Sequence, residues 1–439
     1  MRGPDGNCRR HVKFPRFSLD FMRMLSSAVL GQALLSAGNF FVGLVLIRRT
    51  TPDQYGYYVL IITAVMLLTA LQGAFVQPSL MRCLAVADRE GRRDFIGGAL
   101  RVQRQRLLML VCACSAVLAV LWYFDVVHGS IALIVLAAIA AALSTLYREY
   151  FRMVLLAYRL PAQALKVDVF YVAALGGGAL LATLTALPAM TAALSLSFAA
   201  AVGGWLLSRM VWRHEGWNIH GSPDVLAEMS PLGKWAVIGA AIHWTFAQGY
   251  IYLVASILGV TAVAAVSATR LIMMPVNLMS SGIGSMTFPT VSKWLQEHPV
   301  RAVFHRLSWL ALGIAGLALM YFTVMWFARD WIFTYVIKGR FENRDTLLLM
   351  WGAVFLLMAV RDQMLFLPAG RGKFRIMAWL TLVTAVFSLA IGYIGMRMFG
   401  VVGALVGVLA GEGFNILGFL ALSLREVRLS ELPADGLPE

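Results

Sequence analysis

Two arginines of this 439-residue chain stand inside apolar stretches, where a charged side chain needs a cavity or a partner. They are Arg270 and Arg361; the other 35 of the 37 Lys and Arg residues fall in connections and tails. A charge in hydrocarbon costs at least about 2.5–3.5 kcal/mol, and a guanidinium binds phosphate oxygens in a bidentate manner. Both arginines are therefore predicted to line a vestibule for an anionic substrate. The alternatives are pairing of Arg270 with a buried acid and snorkelling of Arg361 to the headgroups.

Two acidic residues are candidates for coupling a transport cycle to an ion. Glu412 lies between two glycines in the middle of the last apolar stretch, and Asp362 directly follows Arg361. A carboxylate at this depth can take up and release a proton, whereas a structural pair with an arginine is the alternative for Glu412. Neighbours on a helix point about 100° apart, so Arg361 and Asp362 are not expected to pair. Asp168, near the end of another stretch, is expected at the membrane interface.

Polar and aromatic side chains in two apolar stretches suit the passage of a sugar. Asn39 lies in the first stretch, and sliding the second half of the chain over the first by about 209 residues places Gln248 on Asn39. Tyr250 lies two residues further on. Hydrogen bonding between helices explains each of these residues equally well. Arg48 and Arg49, at the end of the first stretch, either anchor the membrane interface or meet the released anion.

The elements that position these residues are predicted to be membrane-spanning helices. The chain is 60% hydrophobic and 13% charged, and a span needs about 20 apolar residues. Backbone groups in lipid need internal partners, and the alternating strands of a barrel are absent from the sequence. We therefore predict an all-α polytopic membrane protein with about 12 transmembrane helices in two six-helix bundles.

The basic residues alternate from one connection to the next. Twenty-eight Lys and Arg residues fall on one side of the predicted membrane and seven on the other, which predicts that both termini are cytoplasmic. The net charge of +15 is then a consequence of sidedness, and no nucleic-acid partner is expected. The four cysteines show no metal-ligand spacing, so neither a metal nor a cofactor is expected.

The predicted domains follow from these spans and from one central connection rich in Gly and Pro. They are a basic cytoplasmic segment 1–23, an N-terminal bundle 24–210, a linker 211–234, a C-terminal bundle 235–424 and a cytoplasmic tail 425–439. The connections on the outer side are short, which argues against a polytopic enzyme with an outer catalytic domain.

Residues 48–56, which read RRTTPDQYG, resemble the turn between the first two helices of Wzx-type lipid-linked oligosaccharide flippases. Residues 266–275 look like the counterpart of this region in the second half. That family belongs to the multidrug/oligosaccharidyl-lipid/polysaccharide exporter superfamily. The resemblance implies a two-lobed fold that works by alternating access.

The resemblance also implies a substrate and partners. The substrate would be an undecaprenyl-pyrophosphate-linked oligosaccharide, moved across the bacterial inner membrane for O-antigen, capsule or exopolysaccharide synthesis. Membrane lipids, the polysaccharide polymerase and the chain-length machinery would be partners. The alternative is a small-molecule secondary transporter, either a multidrug exporter or a major facilitator, because residues 88–93 (DREGRR) resemble a major facilitator loop motif.

Overall fold

The computed structural model describes residues 19–125, 129–220, 224–337, 341 and 343–431. These residues form helices and no strand. The helices are α1 (Leu19–Arg49), α2 (Pro52–Val86), α3 (Arg89–Tyr123), α4 (Gly129–Ala157), α5 (Pro161–Ala182), α6 (Pro188–His214), α7 (Val225–Leu258), α8 (Val260–Glu297), α9 (Val300–Phe327), α10 (Arg329–Trp331), a π-helical turn (Ile332–Ile337), α11 (Arg344–Met364), α12 (Phe366–Gly370), α13 (Phe374–Phe399) and α14 (Val401–Glu431).

Twelve of the described helices are long and apolar enough to cross a membrane, which confirms the predicted class of fold. Local signals explain where they start and stop. Pro52, Pro161 and Pro188 open three helices, where the missing backbone N–H costs nothing. Gly259 and Gly400 have positive φ at the turns before α8 and α14, a conformation that glycine adopts without steric cost.

The helices pack in two groups that meet at α1, α2, α7 and α8. In the first half, α4 packs on α6, and α5 packs on α1 and α6. In the second half, α11 packs on α8, α9 and α14, and α13 packs on α14. Gly395 and Gly403 bring α13 and α14 together backbone to backbone, as small residues do in membrane helix pairs. Helix α2 packs on α7 and α8 as well as on α4, so the two groups of helices share a wide contact. The bundle bounds 24–210 and 235–424 therefore stay predictions.

The connection between α6 and α7 is shorter than the predicted linker 211–234, and it is held against α3. Helix α7 already begins at Val225, ten residues before the predicted second bundle. The backbone N–H of Asn218 donates to the Arg93 carbonyl oxygen (3.0 Å), and a Cβ at Gly97 would collide with the Asn218 backbone. The predicted end segments overlap the structure only from Leu19 in α1 and up to Glu431 in α14; their remainder lies outside the described residues.

The major-facilitator-like stretch 88–93 has a structural explanation. The Asp88 carboxylate caps α3 by accepting the Gly91 N–H (2.9 Å). Arg92 forms an ion pair with Glu215 (2.6 Å), which also accepts the Tyr158 hydroxyl. Burial opposes ionisation of Glu215, but the hydrogen bonds from Arg92 and Tyr158 outweigh it and hold the pKa of this carboxyl below its ordinary value. These contacts fasten the ends of three helices.

The residues of the 48–56 turn close the junction between the two halves on the side that the charge pattern predicts to be outside. Asp53 accepts the Thr261 hydroxyl at the start of α8, and Tyr252 donates to the Leu60 carbonyl oxygen (3.1 Å). At Gly56 a Cβ would lie 2.3 Å from the Val260 carbonyl oxygen, so only glycine allows this approach. We call these contacts the outer closure.

The outer closure predicts a disulfide between introduced cysteines. In a cysteine-free background, Asp53→Cys with Thr261→Cys should cross-link on mild oxidation in the membrane, because the two side chains are in hydrogen-bond contact. Mass spectrometry of the linked peptides measures the yield, and each single-cysteine variant is the control. A pair that stays reduced while both cysteines react with a thiol reagent would contradict the closure.

Candidate functional site

A cavity of about 580 Å³ lies inside the second half, between α7, α8, α11 and α14. It extends from Arg270 towards Gly284, about 21 Å along α8 in the direction of the predicted cytoplasmic side. We call it the central chamber. Six of the predicted site residues line it: Gln248, Tyr250, Arg270, Arg361, Asp362 and Glu412.

Arg361 is surrounded by carboxylates. Its Nη1 donates to both oxygens of Glu412 (2.7 and 2.6 Å), while its Nε and Nη2 donate to Asp362 (3.2 and 2.8 Å). Asp362 also accepts the Ser280 hydroxyl (3.2 Å). The expectation that Arg361 and Asp362 do not pair is therefore wrong. Their Cα–Cβ bonds diverge, but the arginine side chain is long enough to reach the carboxylate of its neighbour. We call Arg361, Asp362 and Glu412 the C-lobe triad.

Arg270 has neutral partners instead. Its Nη1 donates to the Gln248 amide oxygen (2.7 Å) and to the Tyr250 hydroxyl (3.2 Å), and its guanidinium lies 5.5 Å from the centre of the Trp351 ring. Its Nε has no hydrogen-bond partner among the described residues. The guanidinium is thus oriented by dipoles and an aromatic face, which leaves its charge available to an anion in the chamber.

Neither arginine has the alternative environment that the sequence suggests for it. The alternative of a buried acid, weighed for Arg270, describes Arg361, which is held by two carboxylates. Nor does Arg361 snorkel, since only a tenth of its side chain is exposed. Two positive and two negative side chains therefore line the chamber. Three of the four belong to the triad, and the fourth is Arg270.

A smaller cavity of about 110 Å³ continues from Arg270 to the junction of the two halves. Asn39 and Gln248, the pair matched by the 209-residue shift, both line it, with Tyr55 and Tyr58. Polar groups and phenol rings are thus gathered behind Arg270, on the side of the outer closure. Arg48 and Arg49 are exposed at the end of α1 and line neither cavity, so the structure does not bring them to the site.

A second charged network, which the sequence analysis missed, lies inside the first half. Arg148 forms ion pairs with Glu149 and Asp168, and the Arg152 Nε donates to Asp168 (3.1 Å). Arg148 and Asp168 are each only 1% exposed, and the Arg148 guanidinium lies 3.8 Å from the centre of the Tyr171 ring. Asp168 is enclosed because α4 and α5 begin or continue beyond the predicted spans, and its position at the level of the membrane interface stays a prediction.

The two networks repeat along the chain. Arg148-Glu149 on α4 and Arg361-Asp362 on α11 are 213 residues apart, close to the shift that aligns the first spans. In each half the arginine binds the acid that follows it and a second acid from a neighbouring helix. This recurring Arg-acid dipeptide is a signal in the sequence from which the missed network could have been found. The halves differ in one respect: Arg152 neutralises the first network, whereas the C-lobe triad has an excess of one carboxylate.

The family model described as polysaccharide biosynthesis protein matches residues 172–333. This segment runs from α5 into the π-helical turn and contains Gln248, Tyr250 and Arg270 of the chamber. No curated protein matches the chain in sequence.

Solved structures of transporters share the fold over nearly the whole chain. An inward-facing conformation of a multidrug resistance MATE family transporter of the MOP superfamily has a TM-score of 0.72 at 14% identity, covering 92% of this chain and 99% of that one. An outward-facing conformation of such a transporter has a TM-score of 0.62 at 14% identity, covering 94% and 96%. The lipid II flippase MurJ in an inward closed conformation has a TM-score of 0.69 at 9% identity, covering 93% and 90%.

At these identities the likeness concerns the fold, and the fold is not that of a major facilitator. This multi-pass membrane protein thus has the fold of the solved MOP-superfamily transporters.

Proposed function

We propose that this protein is a flippase, and not an enzyme, that moves an undecaprenyl-pyrophosphate-linked oligosaccharide outward across the bacterial inner membrane by alternating access. The match to a polysaccharide biosynthesis family over residues 172–333 and the fold likeness to a lipid II flippase support this assignment. The described arrangement, with the outer closure formed, corresponds to the state that takes up substrate from the cytoplasmic side.

The observation that carries the proposal is the environment of Arg270. It lies between the chamber and the polar junction cavity, and neutral groups hold its guanidinium. A pyrophosphate bound in the chamber would accept hydrogen bonds from this guanidinium, and the first sugars would reach the tyrosines and Asn39 behind it. Charge-assisted hydrogen bonds of this kind are about twice as strong as neutral ones.

The C-lobe triad supplies the proposed coupling. One guanidinium cannot balance two carboxylates, and uncompensated charge at low dielectric is costly. A proton bound by Glu412 or Asp362 removes that excess and leaves the chamber lining with a net positive charge, which favours a pyrophosphate. Release of this proton on the other side restores the tight Arg361–Glu412 pair and disfavours the anion. Arg361 thus acts through the triad, whereas Arg270 contacts the substrate.

A multidrug exporter is the second candidate, because the solved MATE structures share this fold. A cationic drug would be repelled by the guanidinium of Arg270, which neutral groups hold in the described structure. Transport of a lipid-linked sugar by the purified protein, without transport of cationic dyes, distinguishes the two.

Replacement of Arg270 tests the anion site. We expect Arg270→Ala to lower the flipping of pyrophosphate-linked oligosaccharide in proteoliposomes by about 10-fold to 100-fold, since a hydrogen bond to a charged group contributes about 1.5–3 kcal/mol. Arg270→Lys should recover part of the rate, because an ammonium keeps the charge but loses the fork geometry.

Arg301→Ala is the matched control for this experiment, because Arg301 is exposed and pairs only with Glu431 in the described structure. It should transport at the wild-type rate. An Arg270→Ala protein that is folded, present at the wild-type level and equally fast would contradict the site assignment.

Replacement of Glu412 tests the coupling. In proteoliposomes with an imposed pH gradient, Glu412→Gln should lose the acceleration that the gradient produces, while exchange of substrate without a gradient continues. Glu426→Gln is the control, because Glu426 is a buried carboxylate on the same helix that pairs with Arg371 and Lys373 instead. A Glu412→Gln protein that responds to the gradient as the wild type does would exclude Glu412 from coupling.

A further inference from the structure

A groove of about 260 Å³ opens between α2, α3, α4 and the first turns of α7. Its walls are apolar, with Phe75 of α2, Leu107 of α3 and Val237 of α7 among the lining residues. It shares no lining residue with the central chamber or the junction cavity. The groove is therefore a separate feature of the molecule, which the proposed transport route does not use.

The groove lies at the level of the lipid headgroups on the predicted cytoplasmic side. From Tyr123 at the outer end of α3 back to Arg106 is 17 residues, or about 26 Å of helix, close to the roughly 30 Å of a hydrocarbon core. On α7, Trp235 is 77% exposed two residues before Val237, and tryptophan marks membrane interfaces. Two independent helices thus place the groove at the boundary of the inner leaflet.

The chemistry of the groove combines one cation with an apolar wall. Arg106 is the charged residue among the described lining residues, and its exposed guanidinium lies 4.1 Å from the centre of the Phe75 ring. On the floor, Gln72 and Gln103 both donate to the Leu146 carbonyl oxygen (2.9 and 3.1 Å). Their own amide oxygens have no partner among the described residues, although Gln103 is only 8% exposed.

We propose that this groove binds an anionic phospholipid of the inner leaflet. The lipid phosphate would lie against Arg106, and one acyl chain would fill the apolar groove below it. The lining includes no acid to repel the phosphate, and a lipid in the leaflet reaches the groove laterally. The two glutamine side chains form the polar floor of the groove beneath the acyl chain.

The position of the groove connects the lipid to the movement of the two halves. Met229 and Val237 on α7 flank Pro231, which interrupts the helix hydrogen bonds, and Gly233, where a Cβ would collide with Phe75 of α2. A lipid bound in the groove contacts both α7 and α2 where these two helices approach closely. It therefore stabilises the described packing of α7 on α2 and acts as a regulator, independently of what the chamber carries.

Native mass spectrometry of the purified full-length protein in detergent tests the site, with phosphatidylglycerol and phosphatidylcholine of identical chains as probes. We expect the wild type to retain more phosphatidylglycerol, and Arg106→Gln to lower that preference by about fivefold, the effect of one surface cation on an anionic lipid. Val102→Trp, which fills the groove, should lower the retention of both lipids. Arg104→Gln is the matched control, because it removes the same charge about 200° around α3.

Equal loss of preference in Arg104→Gln and Arg106→Gln would overturn the proposal, as would wild-type retention of both lipids by a folded Val102→Trp protein. A polyprenyl phosphate is the third probe. If it binds more tightly than phosphatidylglycerol and is lost in Arg106→Gln, the groove is a site for the prenyl chain of the substrate and the assignment to a bilayer phospholipid is wrong. The readout is lipid retention, so failure of this proposal can be distinguished from failure of the proposed transport function.

Discussion

A guanidinium inside a membrane protein needs polar or charged partners, and this requirement organises both halves of the molecule. Transfer of an ion into low dielectric costs several kcal/mol even after relaxation. Arg148 and Arg361 meet this requirement in the same way, each with the following acid and with one acid from a neighbouring helix. The helices that supply those acids must pack closely. The ion pairs therefore fix α5 against α4 and α14 against α11.

The asymmetry between the halves is more informative than their likeness. In the first half Arg152 completes the balance of charge and the network is enclosed. In the second half the triad borders a chamber and has one carboxylate in excess, while Arg270 on α8 is held by an amide, a phenol and a ring. The proposed transport of an anion rests on this separation of charge across the chamber.

The turn at residues 48–56 has a mechanical basis in this fold. Its acid accepts a hydroxyl from α8, its glutamine accepts the backbone N–H of Ala189 (3.0 Å), and its glycine admits the Val260 carbonyl oxygen. The motif that carries the resemblance therefore packs the two halves together at their junction. A larger residue at position 56 would push α2 away from α8, so only glycine fits there.

The sequence by itself determined the twelve helices, their approximate bounds and six of the residues that line the chamber. Hydropathy sets the spans because lipid leaves the backbone no partner outside a helix, and charges inside spans are rare enough that Arg270, Arg361 and Glu412 were all identified. Only the tertiary structure decided which charges pair. Partners such as Arg361 and Glu412 are 51 residues apart on different helices, and the burial of Asp168 appears only when α4 and α5 pack around it. Pairing depends on distances of a few ångströms between helices, and these distances are set by the contacts of the whole bundle rather than by any local pattern of residues.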